Sequence, residues 1–82
     1  MRSNTPQIIA ALDIGTTKIT CIVARKTSNG KLDILAMSKT NSTGVMRGVI
    51  TNIDKTVEAI KTVVADASRK SGIPIYNLYV GI

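Results

Sequence analysis

A change of hydrophobic period constrains this chain more than any other feature. Over roughly the first half, apolar residues come in short, β-branched runs separated by turn signals. From Ile53 onward, Ile53, Val57, Ile60, Val63, Val64 and Ala67 recur at helical spacing. A period of two belongs to strands, and a period of about 3.6 residues belongs to a helix with one apolar stripe. The chain is therefore expected to build strands first and then lay a helix on them.

Ile8–Ile14 is almost wholly apolar, the pattern of a central strand covered on both faces. Ile19–Ala24 reads as a second strand, with Ile19, Cys21 and Val23 on one side. Lys31–Ser38 reads as a third. Asn29-Gly30 between them predicts a tight type I′ hairpin, because this dipeptide accepts positive φ. The stretch Asp13–Thr16 leaves room for a similar reversal, so the expected start is a three-stranded antiparallel meander.

Asn41–Gly48 is expected to be a connector, with Met46 filling a gap in the core and Arg47 in solvent. Thr51 or Asn52 caps the helix, Asp54 suits its positive end, and Gly72-Ile73-Pro74 stops it. Asp66 and Lys70 are spaced for an ion pair on one helix face. Tyr76–Ile82 resumes strand character and is expected parallel to the first strand, with Tyr76 and Tyr79 half-buried. The fold class is α/β. Residues 1–7, with Pro6, are expected to form a disordered lead-in. Residues 8–82 are expected to be the first part of a larger domain, because the helix covers one face only and the last strand has no following turn.

Composition then removes several functional classes. With 82 residues, 44% of them hydrophobic and 20% charged, the chain is suited to one small folded unit and not to a disordered tract. Its longest apolar run, Ile8–Leu12, stops at Asp13, far short of the roughly 20 residues of a membrane span or the 7–15 of a signal-peptide core. A soluble, cytosolic chain is expected. One cysteine and no histidine exclude an internal disulfide, a Cys/His zinc site and any His-based catalytic triad within these residues. Cys21 is expected to be a small buried hydrophobe. The net charge of +6 comes from 11 basic residues spread evenly along the chain, with two Tyr and no Phe or Trp to stack on bases. No nucleic-acid partner is expected.

Chemistry concentrates in Asp13-Ile14-Gly15-Thr16-Thr17-Lys18, at the reversal between the first two strands. Gly15 allows close approach of an anion to the backbone, and the amides from Gly15 to Thr17 are able to face one concavity. Two hydroxyls add donors, and Lys18 brings a positive charge. Asp13 would repel phosphate directly, so its role there is to hold a hydrated Mg²⁺ between the two. A purely structural reading stands beside this one, in which Asp13 caps its own turn and Gly15 supplies a backbone angle. Neither GxGxxG nor GxxxxGK[ST] occurs, so dinucleotide and P-loop sites are not expected.

Ala11–Lys18 resembles the first phosphate motif of the actin, Hsp70 and sugar-kinase ATPase superfamily. Ser42–Asp54, which runs into the helix, and Leu78–Ile82 resemble the corresponding segments of the FtsA family of bacterial cell-division proteins. Together the resemblance covers residues 8–82. It implies the amino-terminal part of an actin-like (ribonuclease H-like) ATPase subdomain, in a protein that binds ATP with Mg²⁺ between two lobes. It further implies self-association into filaments and a link between FtsZ, other division proteins and the inner face of the cytoplasmic membrane at the septum. By that match Asp13 serves the metal through water, and Gly15, Thr16, Thr17 and Lys18 lie near the phosphates. No residue here takes a catalytic role. The second phosphate loop, the adenosine loop, the inserted subdomain and a carboxy-terminal amphipathic membrane helix would all follow Ile82. Residues 1–82 alone are thus expected to bind ATP weakly or not at all, and to be inactive in hydrolysis.

The amino-terminal part of a carbohydrate kinase or of an Hsp70-type ATPase is the alternative, since both resemble the Asp-Ile-Gly-Thr-Thr opening. A kinase would need substrate-contacting residues soon after the third strand, where Asn41–Ile50 offers only Asn41, Ser42, Thr43 and Arg47.

Overall fold

The computed structural model describes residues 7–42, 45–46, 49–50 and 52–81. Strands β1 (Gln7–Ile14), β2 (Lys18–Lys26) and β3 (Leu32–Asn41) form the meander. A short antiparallel ribbon follows, β4 (Val45–Met46) with β5 (Val49–Ile50), then helix α1 (Ile53–Ser71) and strand β6 (Tyr79–Gly81). The main sheet has the order β3-β2-β1-β6, antiparallel except for the parallel β1–β6 pair. The α/β expectation, including the parallel return to β1, is met. The lead-in expected over residues 1–7 lies outside the described residues except for Gln7, which opens β1. Thr43, Gly44, Arg47, Gly48, Thr51 and Ile82, and the side chain of Met46, also lie outside them.

Alternation along the strands explains where the core sits. Ala10, Leu12 and Ile14 of β1, Ile19, Cys21 and Val23 of β2, and Ala36 of β3 are buried together against Val63 and Ala67 of α1. Cys21 is fully buried, as its position in the alternation requires, and burial pushes its thiol pKa up. Ile9, Ala11 and Asp13 point to the opposite side and are half-buried or exposed. The expectation that both faces of the first strand are covered is therefore wrong for these residues: α1 covers one face, packing chiefly on β2 and β3. The apolar residues on the other face made the strand read as covered on both sides.

The helix begins where its cap allows. Asn52 has extended backbone angles (φ −138°, ψ 101°) and its side chain accepts the Lys55 amide at 3.0 Å. Gly72 ends the helix at φ 70°, its amide donating to the Ser68 carbonyl at 2.9 Å. The stripe is narrower than expected. Val63 and Ala67 are buried and Ile60 and Val64 packed at the margin, whereas Ile53 and Val57 are 70% and 41% exposed. Thr56 takes the buried place in the first turns, its hydroxyl donating back to the Asn52 carbonyl at 2.8 Å. A threonine tolerates burial there because that bond satisfies its only polar group.

Two further expectations are corrected. The β2–β3 hairpin closes on Thr27 and Lys31, with the Thr27 amide donating to the Lys31 carbonyl at 2.9 Å and the Gly30 amide to the Thr27 carbonyl at 3.0 Å. The loop is thus Ser28-Asn29-Gly30 with Gly30 at φ 81°, a longer turn than type I′. Tyr76 and Tyr79 are 87% and 67% exposed, not half-buried, because β6 spans only Tyr79–Gly81 and forms an edge of the sheet.

Candidate functional site

The carboxyl end of β1 and the start of β2 bring the polar sequence Asp13–Lys18 to one edge of the sheet. Ile14 and Ile19, the last apolar pair of the β1–β2 ladder, are both buried and anchor the turn from below. Beyond them the Gly15 amide donates to the Lys18 carbonyl at 3.0 Å, closing the chain around Thr16 and Thr17, which are exposed. A Cβ at Gly15 would stand 2.8 Å from that same carbonyl oxygen. Gly15 is required by this approach and not by a positive φ, which among the described glycines belongs to Gly30 and Gly72.

The donors available to a ligand follow from these bonds. The Gly15 amide is engaged inside the turn. The amides of Thr16 and Thr17 have no backbone acceptor among the described residues, and the two hydroxyls stand beside them in solvent. The Thr17 carbonyl accepts the Ser42 amide at 2.9 Å, which ties the turn to the chain leaving β3. Lys18 is exposed at the rim, and its Nζ donates to Asn41 Oδ1 at 2.6 Å. These contacts leave a small surface of amide and hydroxyl donors with a positive charge next to it, a chemistry suited to a phosphate.

Asp13 is exposed on the sheet face turned away from α1, opposite Thr20 on one side and Gly81 on the other. A Cβ at Gly81 would be 4.0 Å from Asp13 Oδ1, so the glycine leaves that flank of the carboxylate open. No group of three acidic, cysteine or histidine side chains able to hold a metal occurs among the described residues. A single open carboxylate beside phosphate donors fits a hydrated Mg²⁺, which takes few protein ligands and keeps its water. It does not fit a cage built from this chain alone.

The structure thus gathers all five expected site residues, Asp13, Gly15, Thr16, Thr17 and Lys18, at one corner. Sequence reading did not place Asn41, Ser42 and Gly81 there. Only strand register reveals them: Asn41 opposes Lys18 and Gly81 opposes Asp13. Ser42 carries one more signal, since its Oγ is buried with no hydrogen-bond partner among the described residues. A half-open apolar cavity of about 250 Å³, lined by Ile8, Ala10 and Ile73–Asn77, lies at the opposite end of β1 and has no part in this chemistry. No helix among the described residues is long and apolar enough to cross a membrane.

No protein-family model matches the chain. In sequence it is similar to the cell division protein FtsA of Pseudomonas aeruginosa, 34% identical over 76 residues that take in 93% of this chain and 18% of that protein. FtsA of Enterococcus hirae is 41% identical over 71 residues, 87% of this chain and 16% of the relative. FtsA of Streptococcus pneumoniae serotype 2 is 39% identical over 71 residues, 87% of this chain and 15% of the relative. The chain therefore spans less than a fifth of the length of these curated relatives.

Among solved structures, the diol dehydratase-reactivating factor in nucleotide-free form matches with a TM-score of 0.62 at 23% identity, over 92% of this chain and 12% of that one. Glycerol dehydratase reactivase matches with a TM-score of 0.50 at 21% identity, also over 92% and 12%. The likeness is one of fold, that of part of an actin-like α/β subdomain.

Proposed function

We propose, from an FtsA resemblance that extends over 87% or more of the chain in these relatives, that residues 8–82 are the first phosphate-binding region of an FtsA-type, actin-like cell-division protein. The observation that carries the reading is the turn itself, where exposed donors of Thr16 and Thr17 sit between the Lys18 ammonium and the open Asp13 carboxylate. In the full-length protein the Thr16 and Thr17 amides and hydroxyls donate to the phosphates of ATP, and Lys18 offsets their charge. Gly15 contributes by shape, through the tight turn it permits. Asp13 would hold a hydrated Mg²⁺ through the ion's water, and the bound ion would supply positive charge between the carboxylate and the phosphates. Binding and not turnover is the role assigned to these residues.

The proposal extends to the whole protein. It binds FtsZ, self-associates into filaments, joins other division proteins, and works in the cytoplasm at the inner face of the membrane at the division septum. A carboxy-terminal amphipathic helix outside these residues holds it there. The names and sequences of the FtsA relatives support the cell-division part of this extension.

Titration calorimetry of the full-length protein with Mg·ATP tests the site, and co-pelleting with FtsZ filaments and anionic vesicles tests the role. Binding that is strongly weakened by Asp13→Ala substitution, together with capture by both partners, is expected. Wild-type affinity in an Asp13→Ala, Lys18→Gln double variant would sink the assignment of the turn.

A further inference from the structure

We propose that Asn41 is a positioning residue for this site: its side-chain carbonyl holds the Lys18 ammonium at the rim of the turn while leaving the positive charge intact. The inference rests on the phosphate reading of Asp13–Lys18. Lys18 and Asn41 are 23 residues apart in sequence but directly opposed in the β2–β3 register, with Nζ and Oδ1 2.6 Å apart. A lysine at an exposed rim otherwise samples many rotamers, and fixing it only when ligand arrives costs affinity. The cross-strand bond fixes it beforehand.

The choice of partner matters chemically. An ammonium has three donors, so one bond to Asn41 leaves two for a phosphate oxygen. The amide is neutral, so it orients the charge without cancelling it. The other end of the same ladder shows the contrast. There Arg25 opposes Asp33, with Nη2 and Oδ2 3.3 Å apart, and the two charges neutralise each other. A carboxylate at position 41 would do the same to Lys18 and would place a negative charge beside the phosphate site.

The backbone next to Asn41 acts in the same direction. The Ser42 amide grips the Thr17 carbonyl at 2.9 Å, so the end of β3 holds both the side chain and the main chain of the turn. A turn pinned by Gly15 from within and by Ser42 from β3 presents its free amides in a fixed direction, and Asn41 supplies the matching control over the charge.

The test is a double-mutant cycle on the full-length protein, with Mg·ATP as probe and affinity read by calorimetry. Asn41→Ala is expected to weaken binding about threefold to tenfold, the net worth of one ordinary hydrogen bond at a solvent-exposed position. Asn41→Asp, nearly the same size, is expected to weaken it more, and both variants should melt like wild type without nucleotide. In a Lys18→Gln background, Asn41→Ala should have no further effect. If Lys18→Gln weakens binding but Asn41→Ala does not, or does so equally in both backgrounds, the positioning role is wrong and the phosphate turn stands. Asn41→Asp binding as tightly as wild type also overturns the role. If Lys18→Gln binds like wild type, the phosphate reading itself fails and this inference falls with it.

Discussion

Ser38 Oγ on β3 donates a 2.8 Å hydrogen bond to Asp66 Oδ2 on α1, a polar bridge from sheet to helix at the margin of an apolar interface. Ser38 is buried, so its hydroxyl needs that acceptor. Asp66 also pairs with Lys70 at 3.0 Å and with Arg69, while Lys70 reaches the Met37 carbonyl at 3.2 Å. The Ser38 bond first, then Lys70 and Arg69, hold the Asp66 carboxyl down at about 2, from an ordinary 3.8.

This bridge gives a pH dependence with a definite sign. Because the folded-state value is depressed, the unfolded chain binds the proton more readily, and stability present above about pH 4 is lost as pH falls toward 2. Urea midpoints measured between pH 5 and 2, within the range where Asp66 titrates, should fall less steeply in Asp66→Asn than in wild type. Ser38→Ala should show an intermediate slope, since the two basic partners remain. Identical slopes in all three proteins would show that the bridge carries no such linkage.

Gly15→Ala and Gly30→Ala separate a turn needed for a site from a turn needed for shape. At Gly15 a new Cβ meets the Lys18 carbonyl at 2.8 Å, and relief requires opening the turn, a cost of about 1–3 kcal/mol. At Gly30 nothing lies within 4 Å, and the cost is the strain of φ 81°, roughly 1–2 kcal/mol. Both should lower the denaturation midpoint of the full-length protein, but only Gly15→Ala should also weaken Mg·ATP binding. Equal affinities in the two variants would mean that the shape of the Gly15 turn has no bearing on the ligand.

Cys21 allows a simple probe of the core. It is fully buried and its thiol is pushed up by desolvation, so alkylation of the native protein should follow global opening. Cys21→Ser should cost about 1–3 kcal/mol, because the new hydroxyl sits among apolar neighbours. Fast labelling in the absence of denaturant would place Cys21 outside the packed interior.

Local signals gave the elements, and non-local pairing gave the rest. Gly72 and Asn52 are caps whose chemistry is complete within a few residues, and both stand where the sequence put a helix end. Cys21 follows from strand alternation alone. The hairpin is more instructive. A type I′ turn at Asn29-Gly30 would set Ser28 opposite Lys31 and therefore Lys18 opposite Asn41. The actual loop is longer by one residue, yet a bulge that skips Leu35 restores this register, and Lys18 does oppose Asn41. The pairing was implied by the expected turn, but its meaning needed the 2.6 Å contact to be seen. Ile53 and Val57 fit the stripe by spacing, and only packing shows that the helix covers the sheet with its later turns. The bridge from Ser38 to Asp66 spans 28 residues and left no sequence signal.

The two exposed aspartates on the sheet offer the clearest trial of the metal role. Asp33 is neutralised by Arg25 at the far end of the β2–β3 ladder, whereas Asp13 stands at the phosphate turn with its flank kept open by Gly81. Asp13→Ala should weaken Mg·ATP binding by the full-length protein about tenfold to a hundredfold, the usual cost of losing a group that orients a metal through its water. Asp33→Ala should leave it within about twofold, since a surface ion pair contributes little. Gly81→Val adds a branched side chain starting 4.0 Å from Asp13 Oδ1, and should weaken Mg·ATP while sparing binding of ATP measured in chelator. Equal effects of Asp13→Ala and Asp33→Ala would reduce the Asp13–Lys18 stretch to a connection between strands.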